Sequence, residues 1–254
     1  MVVLPRIGGP RRGRFHFRVL SLTQILALLL VLGFFSGLFS GRARQVLTLS
    51  LAMGSLGDRV VVVDPGHGGW DPGVTADGVR EKDLTLSVAR YLAEHLRSAG
   101  ARVVMTRDSD RDLSDLARGQ GGTRKSRDLR QRVEIINAAG ADVLISIHVN
   151  GFPSSRWSGA QTFYDPAQHP ASEHLARAIQ AELKRLTPTD RAANSSINQY
   201  ILKNSAIPAV TVEIGFISNP RERELLQDPD YQNRVAWAIF LGLANYFQAS
   251  EAVD

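Results

Sequence analysis

Residues 59–73 of the chain read RVVVVDPGHGGWDPG, four valines followed by a turn rich in glycine and proline. Four consecutive β-branched residues without polar alternation predict a strand over residues 59–64 that is buried on both faces, as in the parallel sheets of α/β proteins. The glycines and prolines end this strand and present His67 at its carboxyl end. Because ligands bind outside the carboxyl ends of the strands in open α/β sheets, this stretch predicts both a fold class and the place of a functional site.

The rest of the chain alternates between apolar β-branched runs and amphipathic segments, which predicts a single α/β domain over residues 58–248. Further strands are predicted over residues 102–106, 142–149, 160–164 and 209–215. Helices are predicted over residues 81–99, 125–139, 171–186 and 229–247. Residues 107–124 contain three glycines and are predicted to form an irregular loop. Residues 249–254 form a short C-terminal tail.

Charge divides the chain into two unlike parts. Seven of the 30 basic residues lie within residues 1–44, which contain no acidic residue. Residues 45–254 therefore hold 23 basic and 25 acidic residues, a net charge of −2. The overall charge of +5 is typical of a nucleic-acid-binding protein only if the basic residues lie on the folded domain. We therefore predict no nucleic-acid partner.

The basic N-terminal part contains a long uncharged segment. Residues 19–39 read VLSLTQILALLLVLGFFSGLF, which as a helix would be about 31 Å long and would span one hydrocarbon core. Five arginines precede the segment, so the positive-inside rule predicts a cytoplasmic N-terminus over residues 1–18 and export of the remainder. A cleaved signal peptide is the alternative, although its apolar region is usually about 7–15 residues long. We predict a transmembrane anchor or uncleaved signal at residues 19–39 and a tether over residues 40–57.

Four residues that suit metal binding or acid–base chemistry lie beside the predicted strands: His67, Glu81, His148 and Glu213. Two imidazoles and one carboxylate suit zinc and leave a coordination position for water, and the fourth residue would be free to act as a base. The absence of cysteine excludes thiolate zinc sites, disulfides and cysteine nucleophiles. Each of the four is also compatible with a hydrogen-bonded structural role, and the residue types alone leave both interpretations open.

A nucleotide-binding loop is the first rival to a metal site at this position. The dinucleotide pattern G-x-G-x-x-G, started at Gly66, meets Asp71 where the last glycine belongs. The P-loop pattern also fails, because no Gly-Lys-Ser/Thr follows the strand. The sequence therefore argues against a phosphate-binding loop.

Four ordered motifs resemble the zinc-dependent N-acetylmuramoyl-L-alanine amidases: DPGHGG at 64–69, EKD at 81–83, SIHVN at 146–150 and VEIGFISN at 212–219. The resemblance covers residues 58–248, and RWSGAQ at 156–161 is similar to the sporulation-specific amidases of the CwlD type. It implies that His67, Glu81 and His148 bind Zn²⁺ and that Glu213 is the catalytic residue. The implied fold is a mixed sheet of roughly six strands between helices.

The resemblance also implies a reaction and a location. The substrate would be peptidoglycan, hydrolysed by zinc-activated water at the amide between the lactyl group of muramic acid and L-alanine of the stem peptide. The subfamily implies a role in spore-cortex maturation, through muramic δ-lactam formation, or in cell-wall remodelling. The catalytic domain would lie outside the cytoplasm, in the cell envelope or the forespore intermembrane space, and the N-terminal segment would hold it to the membrane. The resemblance does not identify an activator protein.

Two other function classes stay open at this point. One is a membrane-tethered wall-binding module without catalysis, and the other is a different zinc hydrolase on the same fold, a peptidase or a deacetylase. Four arginines are candidates for binding the acidic stem peptide: Arg107, Arg124, Arg127 and Arg130. The alternative for these arginines is a solvated face or local ion pairs with four nearby aspartates: Asp108, Asp110, Asp112 and Asp128.

Overall fold

A computed structural model describes residues 56–117, 119 and 121–251. The strands are β1 Val60–Pro65, β2 Thr75–Ala76, β3 Val79–Arg80, β4 Arg102–Met105, β5 Val143–Asn150, β6 Gln161–Tyr164, β7 Asn194–Ser195 and β8 Ala209–Phe216. The helices are α1 Glu81–Ser98, α2 Arg124–Ala138, α3 Ala171–Leu186, α4 Tyr200–Asn204, α5 Pro220–Gln227 and α6 Pro229–Glu251. All five predicted strands and all four predicted helices are confirmed to within four residues.

Six strands form one mixed sheet in the order β4-β1-β5-β8-β6-β7. Strands β4, β1, β5 and β8 are parallel, whereas β6 runs antiparallel to β8 and pairs in parallel with β7. The predicted mixed sheet of about six strands is therefore confirmed. Strands β2 and β3 form a separate two-stranded hairpin just before α1.

The two faces of this sheet are covered very differently. Side chains alternate along a strand, so Val61 and Val63 of β1 point to one face and Val62 points to the other. The first face, here called the apolar face, packs against α1, α3 and α6 in one large hydrophobic cluster. The second face carries only a small cluster, in which Val62 and Leu144 meet residues of α2 and α4. This second face also carries His148 and Glu213 and is called the site face.

Several short elements carry no periodic signal and were not predicted. These are the β2–β3 hairpin, β7, the single turn of α4, and α5. Helix α5 begins with Pro220 and is capped by the side chain of Asn219, which accepts hydrogen bonds from two backbone N–H groups of its first turn. Residues 107–117, 119 and 121–123 contain no helix or strand, as predicted for that loop.

The predicted anchor, residues 19–39, lies outside the described residues, together with residues 1–18, nearly all of the tether and the last three residues of the tail. Within the part of the chain that is described, no helix has the length and hydropathy needed to cross a membrane.

Candidate metal centre

All four predicted site residues lie at the carboxyl edge of the sheet. His67 follows β1 directly, Glu81 is the first residue of α1, and His148 lies near the end of β5. Glu213 on β8 is the register partner of His148, and directly opposed residues of neighbouring strands point to the same face. The fold thus brings together residues that are up to 146 positions apart in the sequence, between His67 and Glu213.

Three of these residues offer one ligand atom each within 4.8 Å of one another: His67, Glu81 and His148. The two oxygens of Glu81 each face one imidazole, with Oε2 3.2 Å from Nε2 of His67 and Oε1 3.0 Å from Nδ1 of His148. The two imidazole rings are 5.1 Å apart between centroids and nearly perpendicular. Two ring nitrogens and a carboxylate thus converge on one point and can hold a divalent metal ion.

Glu81 is almost completely buried, and the backbone holds it in place. Its Oε2 accepts a hydrogen bond from the N–H of Val74 (2.8 Å), and its Oε1 accepts one from the N–H of Val149 (2.9 Å). Burial raises the pKa of Glu81, but hydrogen bonds and charge from His148 and His67 outweigh burial and hold that pKa well below its usual range. The position at the start of α1 favours the negative charge further. Glu81 is therefore an ionised carboxylate in a fixed orientation.

The backbone of His67 has a left-handed conformation, with φ of 61°. Such a conformation in a residue with a Cβ is uncommon and is kept only when surrounding contacts hold it. Arg132 donates from Nη2 to the carbonyl of His67 (2.6 Å), and Asp71 Oδ2 lies 2.9 Å from Nδ1 of the ring. With Nδ1 facing the carboxylate of Asp71, Nε2 is the ring nitrogen that faces Glu81. The turn therefore aims one nitrogen of His67 at the convergence point.

Two glycines leave room for the site. A Cβ on Gly66 would lie 2.3 Å from the ring of His148, and a Cβ on Gly73 would lie 2.4 Å from Oε2 of Glu81. Gly73 also has a positive φ of 68°. Any side chain at either position would push a candidate ligand out of place, which explains part of the glycine content of the turn.

Buried charged side chains pack against the turn that carries His67 and hold it in place. Asp64 is fully buried and accepts hydrogen bonds from Thr106 Oγ1 (2.6 Å), Ser146 Oγ (2.8 Å) and Arg132 Nη1 (2.8 Å). Burial raises the pKa of Asp64, but Arg132 and these hydrogen bonds outweigh burial and lower that pKa. Arg132 also donates to Asp128 (2.8 Å), so the guanidinium joins two carboxylates and the carbonyl of His67.

The four arginines considered for stem-peptide binding make local contacts. Arg107 is buried, and it donates to the carbonyls of Pro65, Gly66 and Lys82. Arg124 pairs with Asp112 at 2.7 Å, and Arg127 and Arg130 donate to the carbonyls of Gly122 and Gly121. The predicted local ion pair with an aspartate is therefore found for Arg124, whereas Arg107 has a structural role under the turn.

Glu213 differs from the other three residues, because its Oε2 is buried and has no hydrogen-bond partner among the described residues. Burial raises the pKa of Glu213 to about 7, and the neighbouring charge of Glu81 adds to the shift, whereas His148 and His67 oppose it. A buried carboxylate oxygen without a partner is costly and is expected to meet water or a ligand. Glu213 therefore lies beside the cluster with a buried carboxylate oxygen that can accept a hydrogen bond from water or a ligand.

Two cavities open on this part of the site face. One of about 300 Å³ lies beside Glu213 and is walled by residues 198–201 at the start of α4. A second of about 150 Å³ lies beside His67 and Asp71. His148, Leu129 and Ile201 line both, so the cluster faces both cavities.

Sequence reasoning did not identify the residues that orient the site. Asp71 lies four residues after His67, and its carboxylate in so tight a turn is a usable signal for a histidine partner. Arg132 and the cavity wall at residues 198–201 carry no such signal, because their role depends on contacts with residues distant in sequence.

Comparisons with known proteins agree with this geometry. The sequence profile of the Amidase_3 family, described as N-acetylmuramoyl-L-alanine amidase, matches residues 61–245. The chain is 44% identical to the germination-specific N-acetylmuramoyl-L-alanine amidase of Bacillus subtilis over 193 residues, which are 76% of this chain and 81% of the relative.

The fold is also similar to the solved structures of two amidases. The CwlD amidase of Clostridioides difficile, solved in complex with the GerS lipoprotein, superposes with a TM-score of 0.71 at 36% identity, over 78% of this chain and 100% of that one. The catalytic domain of the amidase CwlV from Bacillus (Paenibacillus) polymyxa superposes with a TM-score of 0.62 at 31% identity, over 75% of this chain and 98% of that domain.

Proposed function

This chain belongs to the N-acetylmuramoyl-L-alanine amidase family, and from that premise we propose that it uses a zinc ion held by His67, Glu81 and His148, with Glu213 as the general base. The substrate of the family's reaction is peptidoglycan, and the bond hydrolysed joins the lactyl group of muramic acid to L-alanine. One observation carries the proposed mechanism. Three donor groups converge within 4.8 Å beside a buried carboxylate oxygen of Glu213 that has no hydrogen-bond partner in the described part of the chain.

The donor set fits zinc. Catalytic zinc sites use three protein ligands and keep a further position open for water. A chain without cysteine has only imidazole and carboxylate to offer as strong ligands. The contact between Asp71 and Nδ1 of His67 is the carboxylate–histidine arrangement that accompanies metal-binding histidines. When bound, zinc would polarise the scissile carbonyl and lower the pKa of its water towards about 7.

The protein residues supply position and proton transfer. Asp71 and the backbone N–H groups of Val74 and Val149 hold His67 and Glu81 in place, so that neither ligand has to reorganise during the reaction. Glu213 Oε2 would accept a proton from the attacking water and return it to the leaving nitrogen of L-alanine. Positioned proton transfer of this kind is typically worth about 10²–10⁴ in rate.

We infer a role in the spore cortex from the similarity to the germination-specific amidase of Bacillus subtilis. In that role the freed muramic carboxylate would be the group from which the δ-lactam forms. We also propose that residues 19–39 anchor the chain in the membrane, because the segment has 21 uncharged residues with arginines on both sides. The catalytic domain would then act outside the cytoplasm.

Two variants separate metal binding from proton transfer. Glu213→Gln should keep zinc but lose about 10²–10⁴ in kcat, whereas His67→Ala should lose zinc as well as activity. Zinc content by mass spectrometry and cleavage of purified muropeptides are measured on the same samples. Glu173→Gln on the surface of α3 is the matched control and should change neither quantity. Near wild-type cleavage by Glu213→Gln would contradict the assigned base.

Analysis of the products tests the alternatives. Stem peptides with a free N-terminal alanine identify the amidase reaction. A sacculus left intact would indicate a wall-binding module, a deacetylated sugar would indicate a deacetylase, and cleavage within the stem peptide would indicate a peptidase.

A further inference from the structure

A third cavity, of about 220 Å³, lies on the site face beyond Glu213 and combines aromatic rings with planar polar groups. Its aromatic lining includes Phe152, Trp157 and Phe216, and its polar lining includes Gln161 and Arg191. We propose that this aromatic cavity binds an N-acetylhexosamine ring of the glycan strand. The inference rests on the proposed function, since it identifies which part of the amidase substrate lies on this side of Glu213.

The aromatic cavity is next to the catalytic residues on the same face of the sheet. Gln161 of β6 is the register partner of Glu213, and Phe163 is the register partner of Thr211, which lines the cavity beside Glu213. Opposed residues of neighbouring strands point to the same face, and neighbouring strands are about 4.8 Å apart. A group bound against Gln161 is therefore close to the group being hydrolysed at Glu213.

Helices leave this end of the site face open. The small cluster that packs on the site face contains residues of α2 and α4 with Val62, Leu144 and Ala209, and it contains none from β6 or β7. Phe152 and Trp157 remain 53% and 41% exposed as a result. Large exposed aromatic side chains that lie together are typical of a binding surface.

The rings are held in fixed positions before any ligand binds. Phe152 lies with its ring centroid 6.4 Å from that of Trp157 and 6.1 Å from that of Phe216. The guanidinium of Arg191 lies 4.7 Å from the centroid of Phe216 and 5.8 Å from that of Trp157. Arg191 in turn donates to the carbonyl of Ser158 (2.6 Å) and to Oε1 of Gln161 (3.0 Å). The rings and the guanidinium thus form one preorganised surface, which lowers the entropy cost of binding.

A sugar ring matches this combination of groups. A pyranose presents an apolar C–H face that stacks on aromatic rings, and its hydroxyl and acetamido groups bond to planar amides and guanidinium. The volume of about 220 Å³ is below the roughly 300–1,000 Å³ of cavities for drug-sized ligands and suits a single ring. The scissile amide joins a sugar to a peptide, so a sugar must lie on one side of Glu213, and the aromatic side fits it.

The first test compares two substrates that share the scissile amide. One is the disaccharide–tripeptide muropeptide, and the other is the D-lactoyl-tripeptide, which has no sugar. Trp157→Ala and Phe152→Ala should each lower kcat/KM about tenfold on the muropeptide, equivalent to about 1.4 kcal/mol of lost binding, and leave the D-lactoyl-tripeptide unchanged. Trp157→Phe keeps an aromatic ring and should recover most of the loss.

Leu116→Ala is the control, because Leu116 is 64% exposed but lines none of the three cavities. It should affect neither substrate. Thermal unfolding of each variant establishes that the fold is kept. Equal losses on both substrates, or no loss on the muropeptide, would overturn the sugar subsite.

A binding measurement tests the sugar subsite independently of catalysis. Triacetylchitotriose, a trimer of N-acetylglucosamine, is titrated into the full chain and followed by intrinsic tryptophan fluorescence and by NMR. Saturable binding that Trp157→Ala abolishes supports the subsite, and absence of binding to the wild type overturns it. If the wild type cleaves neither substrate, the proposed function fails, and the titration alone then decides whether the aromatic cavity binds sugar.

Discussion

The apolar face and the site face of the sheet bury different kinds of side chain. On the apolar face, aliphatic and aromatic residues of α1, α3 and α6 form one continuous cluster with the strands. On the site face, a small apolar cluster under α2 and α4 adjoins buried charges, including Asp64, Asp128 and Arg132. The same strands supply both faces, because alternate residues of β1, β5 and β8 point in opposite directions.

The two faces of the sheet separate stability from chemistry in this domain. A helix-covered apolar face stabilises the sheet by burial of apolar area, about 25 cal/mol per Å². The site face can then hold open cavities and a buried atom such as Glu213 Oε2, which has no partner within residues 56–117, 119 and 121–251. Both features would be costly in a domain without a stabilising apolar face. Buried ion pairs on the site face fix the geometry of the turn at His67 rather than adding to the apolar core.

The largest expected loss of stability comes from a buried ion pair on the site face rather than from the apolar face. Arg132→Met on the site face would leave the carboxylates of Asp64 and Asp128 without their shared cation. Removing one partner of a buried ion pair typically costs about 3–5 kcal/mol of unfolding free energy. Urea unfolding measures the loss, and Arg177→Met in the exposed pair with Glu173 is the control, expected to leave the midpoint unchanged. A loss below about 1 kcal/mol would show that the ion pair is not needed.

Two leucines, one on each face, should show opposite effects on stability and on kcat/KM. Leu92 on α1 is fully buried on the apolar face, and Leu92→Ala should cost about 2–5 kcal/mol of stability while kcat/KM of the folded protein stays constant. Leu129 is half-buried and lines both cavities beside His148. Leu129→Ala should cost less stability and change kcat/KM more. The reverse pattern would contradict the assignment of stability to one face and chemistry to the other.

A smaller effect concerns metal affinity alone. Asp71→Asn removes the carboxylate that faces Nδ1 of His67, and loss of such a partner typically lowers metal affinity about 10–100-fold. Competition with a chromophoric chelator measures zinc affinity, and urea unfolding of the metal-free protein should be nearly unchanged. Asp83→Asn, in an exposed pair with Arg80, is the control. Unchanged zinc affinity in Asp71→Asn would remove Asp71 from the site.

The smallest effect is a pH dependence. The pKa of Asp64 is lower in the folded protein than the roughly 3.9 of the unfolded chain. Its stabilising contribution is therefore present above about pH 4 and is lost as pH falls through the folded pKa, at no more than about 1.4 kcal/mol per pH unit. Urea unfolding between pH 6 and pH 3 should show a steeper decline for the wild type than for Asp64→Asn. Parallel declines would contradict the role of Asp64.

Much of the fold could be predicted because its strands and long helices have strong local patterns. The four valines of β1 and the apolar run of β5 cannot be mistaken for amphipathic helices, and their ends were predicted to within one residue. Strand β7 has two exposed residues, and α4 has five residues, so neither contains enough sequence for a period to appear. Both form because tertiary contacts hold them, with β7 paired to β6 and Ile201 of α4 packed on the site face.

Three properties of this protein could be predicted from the sequence alone: the α/β class, the strand ends at which functional residues lie, and the residue types available for chemistry. These three properties depend on local periodicity and on composition, including the absence of cysteine. Both are present in the sequence before the chain folds. The tertiary structure alone shows that Arg132 holds the turn of His67 and that Oε2 of Glu213 has no partner among the described residues. It alone also shows that Phe152, Trp157 and Arg191 share a cavity beside Glu213. Each of these depends on the sheet order β1-β5-β8-β6, which brings distant segments side by side through hydrogen bonding and burial rather than through any local sequence pattern.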